Sequence, residues 1–263
     1  MNKQILIIGT KGFVSRNLIS FFNSQSFDVY STSNKLIKKN VYYFDLKDND
    51  EINFKDLPKI DYLINCAYYK TNNYKAELKI NLEGAKRIFD FAKKNQIKIV
   101  HISSLSANSK AKSNYGKVKF QIEKIAKKYQ SIIIRPGLIY SKEDPGGIYE
   151  SLEKIIKLFP IVLIPSGPTN KQHLCDMNIL NESILNIINN ENQISQLHIV
   201  SQQQAVSIQY ILKSLAKKNS KKIILINVNY KIILYLLKFI EFIGINLKIK
   251  SDNLVSLMDY NSN

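Results

Sequence analysis

Only two cysteines, Cys66 and Cys175, occur in 263 residues, and both sit in apolar contexts. Neither a disulfide framework nor a cysteine metal site is expected, and a reducing, cytoplasmic setting is the simplest reading. The three histidines are isolated from one another and give no metal-ligand spacing. A long uncharged apolar run is also missing. The most apolar tract, "IILYLLKFIEFIGINL" from Ile232 to Leu247, is interrupted by Lys238 and Glu241. That predicts a buried helix rather than a membrane span, which needs about 20 nearly uncharged residues. The opening "MNKQILIIGTKG" has too short an apolar stretch for a secretory leader. Acids are scarce: 21 stand against 38 Lys and Arg, a net charge of +17. The lysines are scattered among isoleucines and asparagines, with no dense basic block or Arg-rich aromatic patch. Nucleic acid is therefore not favoured as a partner, although anionic small molecules are attracted. No internal repeat and no low-complexity linker divides the text.

What is present is an alternation. Short β-branched runs at 4–9, 27–32, 41–46, 61–67, 97–104 and 131–136 are separated by segments of helical period, among them "FVSRNLISFFNS" and "YKAELKINLEGAKRIFDFAKKN". Strands apolar on both faces and joined by helices predict an α/β fold: a doubly wound parallel sheet of Rossmann type. After Pro136 the pattern loosens into a Gly/Pro-rich stretch, a helix near 177–190, a strand near 196–200 and then mostly helical text. The expected organisation is a dinucleotide-binding domain over 1–160, rejoined by about 173–200, and a smaller, mostly helical substrate lobe over 161–263.

In "ILIIGTKGFVSRNLISFF", Gly9 and Gly12 follow the first strand directly and open the first helix. Missing side chains there allow a tight turn and let a pyrophosphate approach the amides of Lys11, Gly12, Phe13 and Val14. Strand before and helix after are the context such a motif needs. Ser15 takes the place of a third glycine. At the end of the second strand the text reads "STSNK", with no carboxylate to hold ribose hydroxyls. Ser33, Asn34 and Lys35 can instead hold a 2′-phosphate, which tilts the cofactor from NAD toward NADP; a plain polar turn is the open alternative.

The segment "SNYGKVKF" puts Tyr115 and Lys119 four residues apart on one helix face. A tyrosine of pKa about 10 is a poor base near neutrality, and a neighbouring ammonium favours its phenolate. A serine hydroxyl from a strand end can orient the same substrate oxygen while a nicotinamide exchanges hydride at carbon.

These pieces, in the order "GTKGFVS", "FDL", "NCA", "NLEGAKRIF", "HISSLSA", "YGKVK", "IIIRPGLIYS" and "HLCDM", resemble the extended short-chain dehydrogenase/reductases, the NAD-dependent epimerase/dehydratase family acting on nucleotide-activated sugars. The resemblance runs to about Asp176. It implies that Asp45 accepts from the adenine amino group and Leu46 flanks the ring. Ala67 and Pro136 line the cofactor, Asn81 supports the proton path, and Ser104 joins Tyr115 and Lys119 in catalysis, with Ser103 as the competing register. Its further implications are a nucleotide-linked sugar as substrate, a role in surface polysaccharide synthesis and a two-helix homodimer. His101 and His198 read as satisfied core histidines, Asp176 as a helix N-cap and Cys66 as a small buried filler.

Substrate choice is expected in the loops 106–114, 140–155 and 165–173, where Lys171 or Gln172 can face a diphosphate. The first loop is short for the family, since Tyr115 lies only eleven positions past Ser104. The final "DNLVSLMDYNSN" comes early for the family, an expectation of a smaller substrate or of a partner that completes the site. A reading from another class is a non-catalytic sensor or scaffold of the same fold, for which the +17 charge, including RNA binding, is the main argument.

Overall fold

A computed structural model describes residues 2–35, 39–143, 146–166, 171–190, 196–245 and 249–258. Parts of the expected substrate loops, at 144–145 and 167–170, and the last residues, 259–263, lie outside these. In chain order the elements are β1 (Lys3–Ile8), α1 (Phe13–Asn23), β2 (Phe27–Ser33), β3 (Val41–Tyr43), β4 (Tyr62–Asn65), α2 (Tyr74–Lys94), β5 (Lys98–Ile102), α3 (Asn114–Lys128) and β6 (Ile132–Pro136). There follow β7 (Leu138–Tyr140), α4 (Gly147–Leu158), β8 (Ile161–Ser166), β9 (Lys171–Gln172), β10 (Leu174–Asp176), α5 (Met177–Asn189), β11 (Leu197–Val200), β12 (Val206–Ser207), α6 (Ile208–Lys218), β13 (Ile224–Asn229), α7 (Tyr230–Phe242) and α8 (Ser251–Met258).

The chain forms two compact units. The first comprises Met1–Ser104, Val118–Arg135 and Met177–Val200; the second comprises Leu105–Lys117, Pro136–Asp176 and Ser201–Asn263.

In the first unit a seven-stranded sheet runs β11-β6-β5-β4-β1-β2-β3, parallel in every ladder from β3 to β6. The order reverses between β1 and β4. In a doubly wound sheet this switch point opens the crevice where ligands bind, at the carboxyl ends of the strands. The apolar runs behave as their composition requires: Ile5 to Ile8 and Tyr62 to Asn65 are buried on both sheet faces. Leu6, Ile8 and Leu63 pack with Ile88 and Phe89 of α2 and with Val118 and Ile122 of α3 in one core. Such burial stabilises by roughly 2 kcal/mol per large side chain. Asn73 caps α2 by accepting from the Ala76 amide.

The second unit has its own core, in which Leu152 and Ile156 of α4, Val162 and Ile164 of β8, Ile211 and Leu215 of α6 and Leu254 of α8 meet. Its helices after Ser201 were expected from the sequence, whereas α4, inside the stretch read as a substrate loop over 140–155, and a parallel pairing of β8 with β13, Ile161 opposite Ile224 through Ser166 opposite Asn229, were not. Local text alone hid the pair, because "IVLIPS" and "ILINVN" are too far apart in the chain to announce a partnership. The expected buried helix is a second correction. It forms as α7, yet none of its residues is buried. Ile233, Leu234 and Leu237 pack partly against the core, while Ile232, Tyr235, Phe239 and Phe242 point outward. None of the described helices is long and apolar enough to cross a membrane.

Candidate active site

The turn after β1 is built by backbone. Gly9 adopts φ +99°, a left-handed conformation, and a Cβ there would stand 3.4 Å from the Ala67 backbone beyond β4. Its amide donates to the Thr32 hydroxyl at 3.1 Å, and the Thr10 amide to the Thr32 carbonyl at 2.9 Å. Sequence reasoning overlooked Thr32, whose only signal was its place at the end of β2. Gly12 precedes α1, whose N-terminus has neither a side-chain cap nor an acid in its first turn. Ser15 folds its hydroxyl back onto the Gly9 and Gly12 carbonyls. An α-helix begun without cap or acid, behind two glycines at the switch point, fits a dinucleotide pyrophosphate on the Gly12, Phe13 and Val14 side of the turn.

A polar chain runs beside this turn: Lys11 Nζ donates to Asn34 Oδ1 at 3.0 Å, and Asn34 Nδ2 to Asp45 Oδ2 at 3.1 Å. The sequence put no carboxylate at the end of β2, and the structure brings one from the exit of β3. Burial raises the Asp45 pKa, but the Lys47 amide, Asn34 and the charges of Lys47 and Arg87 outweigh it, so the group is lowered overall. Ser33 is buried and its hydroxyl accepts from the Lys35 amide at 3.2 Å, whereas the Lys35 side chain is exposed. Arg87, also missed from sequence, holds the loop after β3 by donating to the Asp45, Leu46 and Asp50 carbonyls at 2.9, 3.1 and 3.2 Å. Gly84 lets α2 approach that loop; a Cβ there would lie 2.3 Å from Leu46.

Beyond β5 the two serines differ. Ser103 is buried and donates to Glu123 Oε1 at 2.5 Å, while Arg135 grips both oxygens of the same carboxylate at 2.8 and 2.6 Å. Ser103 therefore belongs to an internal ion-pair network, and the half-buried Ser104 follows it at the exit of the strand.

Lys119 on α3 is buried. Its ammonium donates to the Ile102 carbonyl at 2.7 Å and lies 5.3 Å from the centre of the Tyr68 ring. Burial lowers it to about 8 against the charges of Cys66 and Glu123, which raise it. Tyr68 in turn donates to Glu77, which also accepts from the Thr71 amide at 2.9 Å. Asn81 works on the same loop: it accepts from the Tyr69 amide at 2.9 Å and donates to the Tyr69 and Glu77 carbonyls at 2.7 Å each. Its hydrogen bonds thus go to main chain, and the residue fixes the loop that carries Tyr68.

His101 is satisfied on one nitrogen only, a correction to the expectation. Nδ1 meets Asn65 at 3.3 Å, and Nε2 has no partner among the described residues. Burial, then the Lys119 charge, lowers its pKa well below the usual imidazole value. His198 Nε2 is likewise without a partner there. The Cys175 thiol is pushed up to about 12, chiefly by burial.

Tyr115 and Pro136 belong to the second unit. Tyr115 stands in the first turn of α3, one turn before Lys119. Asp252 of α8, another residue the sequence did not announce, accepts from the Asn114 amide at 2.6 Å and the Tyr115 amide at 3.2 Å. Gly116 is required by packing, since a Cβ would come within 2.4 Å of the Ser106 carbonyl. The Pro136 carbonyl accepts from the Leu105 amide at 3.1 Å. Gln172, expected to face a diphosphate, is instead buried and donates to the Leu257 carbonyl at 2.6 Å. Asp176 precedes α5 and, after burial, is the main cause that raises the Tyr140 phenol to about 12.

Solved structures share this fold. A dTDP-4-dehydrorhamnose reductase ortholog from Clostridium acetobutylicum superposes with a TM-score of 0.73 at 17% identity, over 98% of this chain and 98% of that one. MoeE5, in complex with UDP-glucose and NAD, gives 0.71 at 14% identity, over 86% and 85%. In sequence, the chain is 30% identical over 105 residues to the mitochondrial NADH dehydrogenase [ubiquinone] 1 alpha subcomplex subunit 9 of Dictyostelium discoideum. That match covers 38% of this chain and spans only 29% of that relative's length. The pattern of one family matches residues 5–157, more than half of the chain and the whole run from the glycine turn past Tyr115 and Lys119: the chain belongs to the NAD dependent epimerase/dehydratase family.

Proposed function

We propose that the chain is an NAD(P)-dependent oxidoreductase or epimerase of a nucleotide-activated sugar, with Tyr115 as proton carrier and Ser104 and Lys119 as its partners. The observation that carries this reading is the state of Lys119. A buried ammonium, one helical turn after Tyr115 and lowered to about 8, favours the phenolate of that tyrosine while staying charged at neutral pH. The engagement of Ser103 with Glu123 supports Ser104 as the serine that hydrogen-bonds the substrate oxygen. Gly9, Lys11, Gly12, Phe13 and Val14 would hold the pyrophosphate, Asp45 and Leu46 the adenine, and Ala67 and Pro136 the nicotinamide half. When bound, the nicotinamide supplies hydride exchange at carbon. Asn81 fixes the loop of Tyr68 and so keeps the surroundings of the Lys119 ammonium rigid.

Lys11 and Lys35 favour an adenosine 2′-phosphate and Asp45 favours free hydroxyls, so the expected preference for NADPH over NADH is small, within about tenfold. The nucleotide sugars named with the structural relatives support the substrate class, and surface polysaccharide synthesis is the role proposed for it.

A second reading, a non-catalytic nucleotide-binding scaffold, is favoured by the Dictyostelium relative, which its name makes a subunit of a larger assembly. One experiment separates the two. The purified chain is titrated calorimetrically with NAD, NADH, NADP and NADPH, then assayed on UDP- and dTDP-sugars beside Tyr115→Phe. Turnover that Tyr115→Phe abolishes while nucleotide affinity persists is the expected result. Nucleotide binding without turnover on any such sugar would favour the scaffold.

A further inference from the structure

The outward side of α7 has no covering layer among the described residues. Phe242 is 87% exposed, Tyr235 70%, Ile232 62% and Phe239 60%, although an isolated large apolar side chain rather than a row of them is what a soluble surface normally shows. The neighbouring strands repeat the pattern. In the β8–β13 ladder Ile161 stands opposite Ile224 and Leu163 opposite Ile226, and all four are exposed. The alternate residues Val162 and Ile164 go to the core.

The charge around this face is one-sided. The charged residues of α7 are Lys231, Lys238 and a single acid. That acid, Glu241, is engaged by the amide and hydroxyl of Ser251 at 2.6 and 2.8 Å. Lys231 and Lys238 lie exposed on α7 itself, and Lys221 and Lys222 lead into β13. Two such faces pressed together would oppose lysine to lysine, so a second copy is a poor occupant. A surface both apolar and anionic is complementary. At about 1.5 Å per residue the 13 residues of α7 reach roughly 20 Å, short of the roughly 30 Å hydrocarbon core, so the helix would lie in an interface rather than cross it.

We infer that the outward face of α7 docks on an anionic lipid surface. Phe239, Phe242 and Tyr235 enter the headgroup boundary and the lysines contact lipid phosphates. The inference is independent of the proposed catalysis.

Sedimentation of the full chain with vesicles tests it. Vesicles of phosphatidylcholine with about one quarter phosphatidylglycerol are compared with phosphatidylcholine alone, and ultracentrifugation is run without vesicles. Binding to the anionic vesicles is expected to be at least about tenfold the stronger, and to weaken in high salt. Phe239→Ser/Phe242→Ser, at exposed positions and checked for folding by thermal melt, should lose about tenfold or more of it. Lys231→Gln/Lys238→Gln should lose the preference for anionic lipid. The idea is overturned by a wild-type chain that sediments with neither vesicle or equally with both, or by binding that ignores the phenylalanine double variant and so reports only the overall +17 charge. A dimer that this double variant abolishes would also overturn it, in favour of a second copy.

Discussion

The Lys119 ammonium and the Ile102 carbonyl oxygen are 2.7 Å apart, a hydrogen bond that fixes a buried cation at the end of β5. In the cofactor-free protein burial lowers this lysine to about 8, whereas in the unfolded chain a lysine keeps its proton to about 10.4. Between these values the unfolded state binds more protons, so the contribution of this group to stability rises with pH. Urea unfolding at several pH values should show wild type gaining on Lys119→Met as pH climbs above about 8. Parallel pH profiles for the two would contradict the burial of the charge.

His101 gives the opposite end of the range. Its folded pKa is lowered well below the usual value, so the unfolded state takes up protons first as pH falls through about 6.5, and stability is lost. His101→Gln is expected to flatten the stability profile between neutral pH and about pH 5. Thermal melts across that range measure the difference.

The Glu123 network is costly to break from one side. Glu123→Gln leaves Arg135 without its carboxylate, and a loss of about 3–5 kcal/mol is expected. Ser103→Ala should cost only about 1 kcal/mol. Glu123→Leu/Arg135→Met, which removes both charges, should recover much of the larger loss in the same urea titration. A double variant as weak as Glu123→Gln would show that the side chains, not the charges, carry the effect.

Gly9→Ala is expected to cost about 1–2 kcal/mol, because an L residue must be forced to a left-handed φ of +99°. The added methyl also narrows the gap to Ala67. Calorimetry should register loss of nucleotide binding in a protein that still melts cooperatively.

Asp252→Ala removes the acceptor for the first amides of α3 and should lower the melting temperature by about 2–4 °C, as loss of roughly 1 kcal/mol of capping does. Gly116→Ala should be more damaging, since its methyl meets the Ser106 carbonyl. On the proposed reading both variants lower turnover and leave nucleotide affinity unchanged.

The first unit was readable because its signals are local. Unbroken runs such as "ILII" report burial on both faces of a strand, and a glycine pair between strand and helix reports a turn whatever folds around it. Thr32, Arg87 and Asp252 were not readable, because each acts on main chain brought near only by tertiary folding, and a threonine, an arginine or an aspartate has no periodicity that marks such a task. The pairing of β8 with β13 was hidden for the same reason. For α7 the sequence identified the helix and misjudged its surroundings: apolar text predicts what a segment avoids, not whether the rest of the chain supplies a cover. The register at Ser103 and Ser104 was left open by sequence, and the carboxylate that engages Ser103 lies 20 positions away.

The amide of Tyr115 meets its carboxylate from a residue 137 positions further along the chain. At about 5–20 residues per second, a ribosome needs roughly 7–27 s after adding the tyrosine before it adds that aspartate. Once Val200 has been added, the first unit has all its segments and can build its sheet and glycine turn, while the helix start that bears the tyrosine still lacks its acceptor. A chain whose synthesis has passed Val200 is therefore expected to hold the glycine turn in a finished sheet before the helix start is complete.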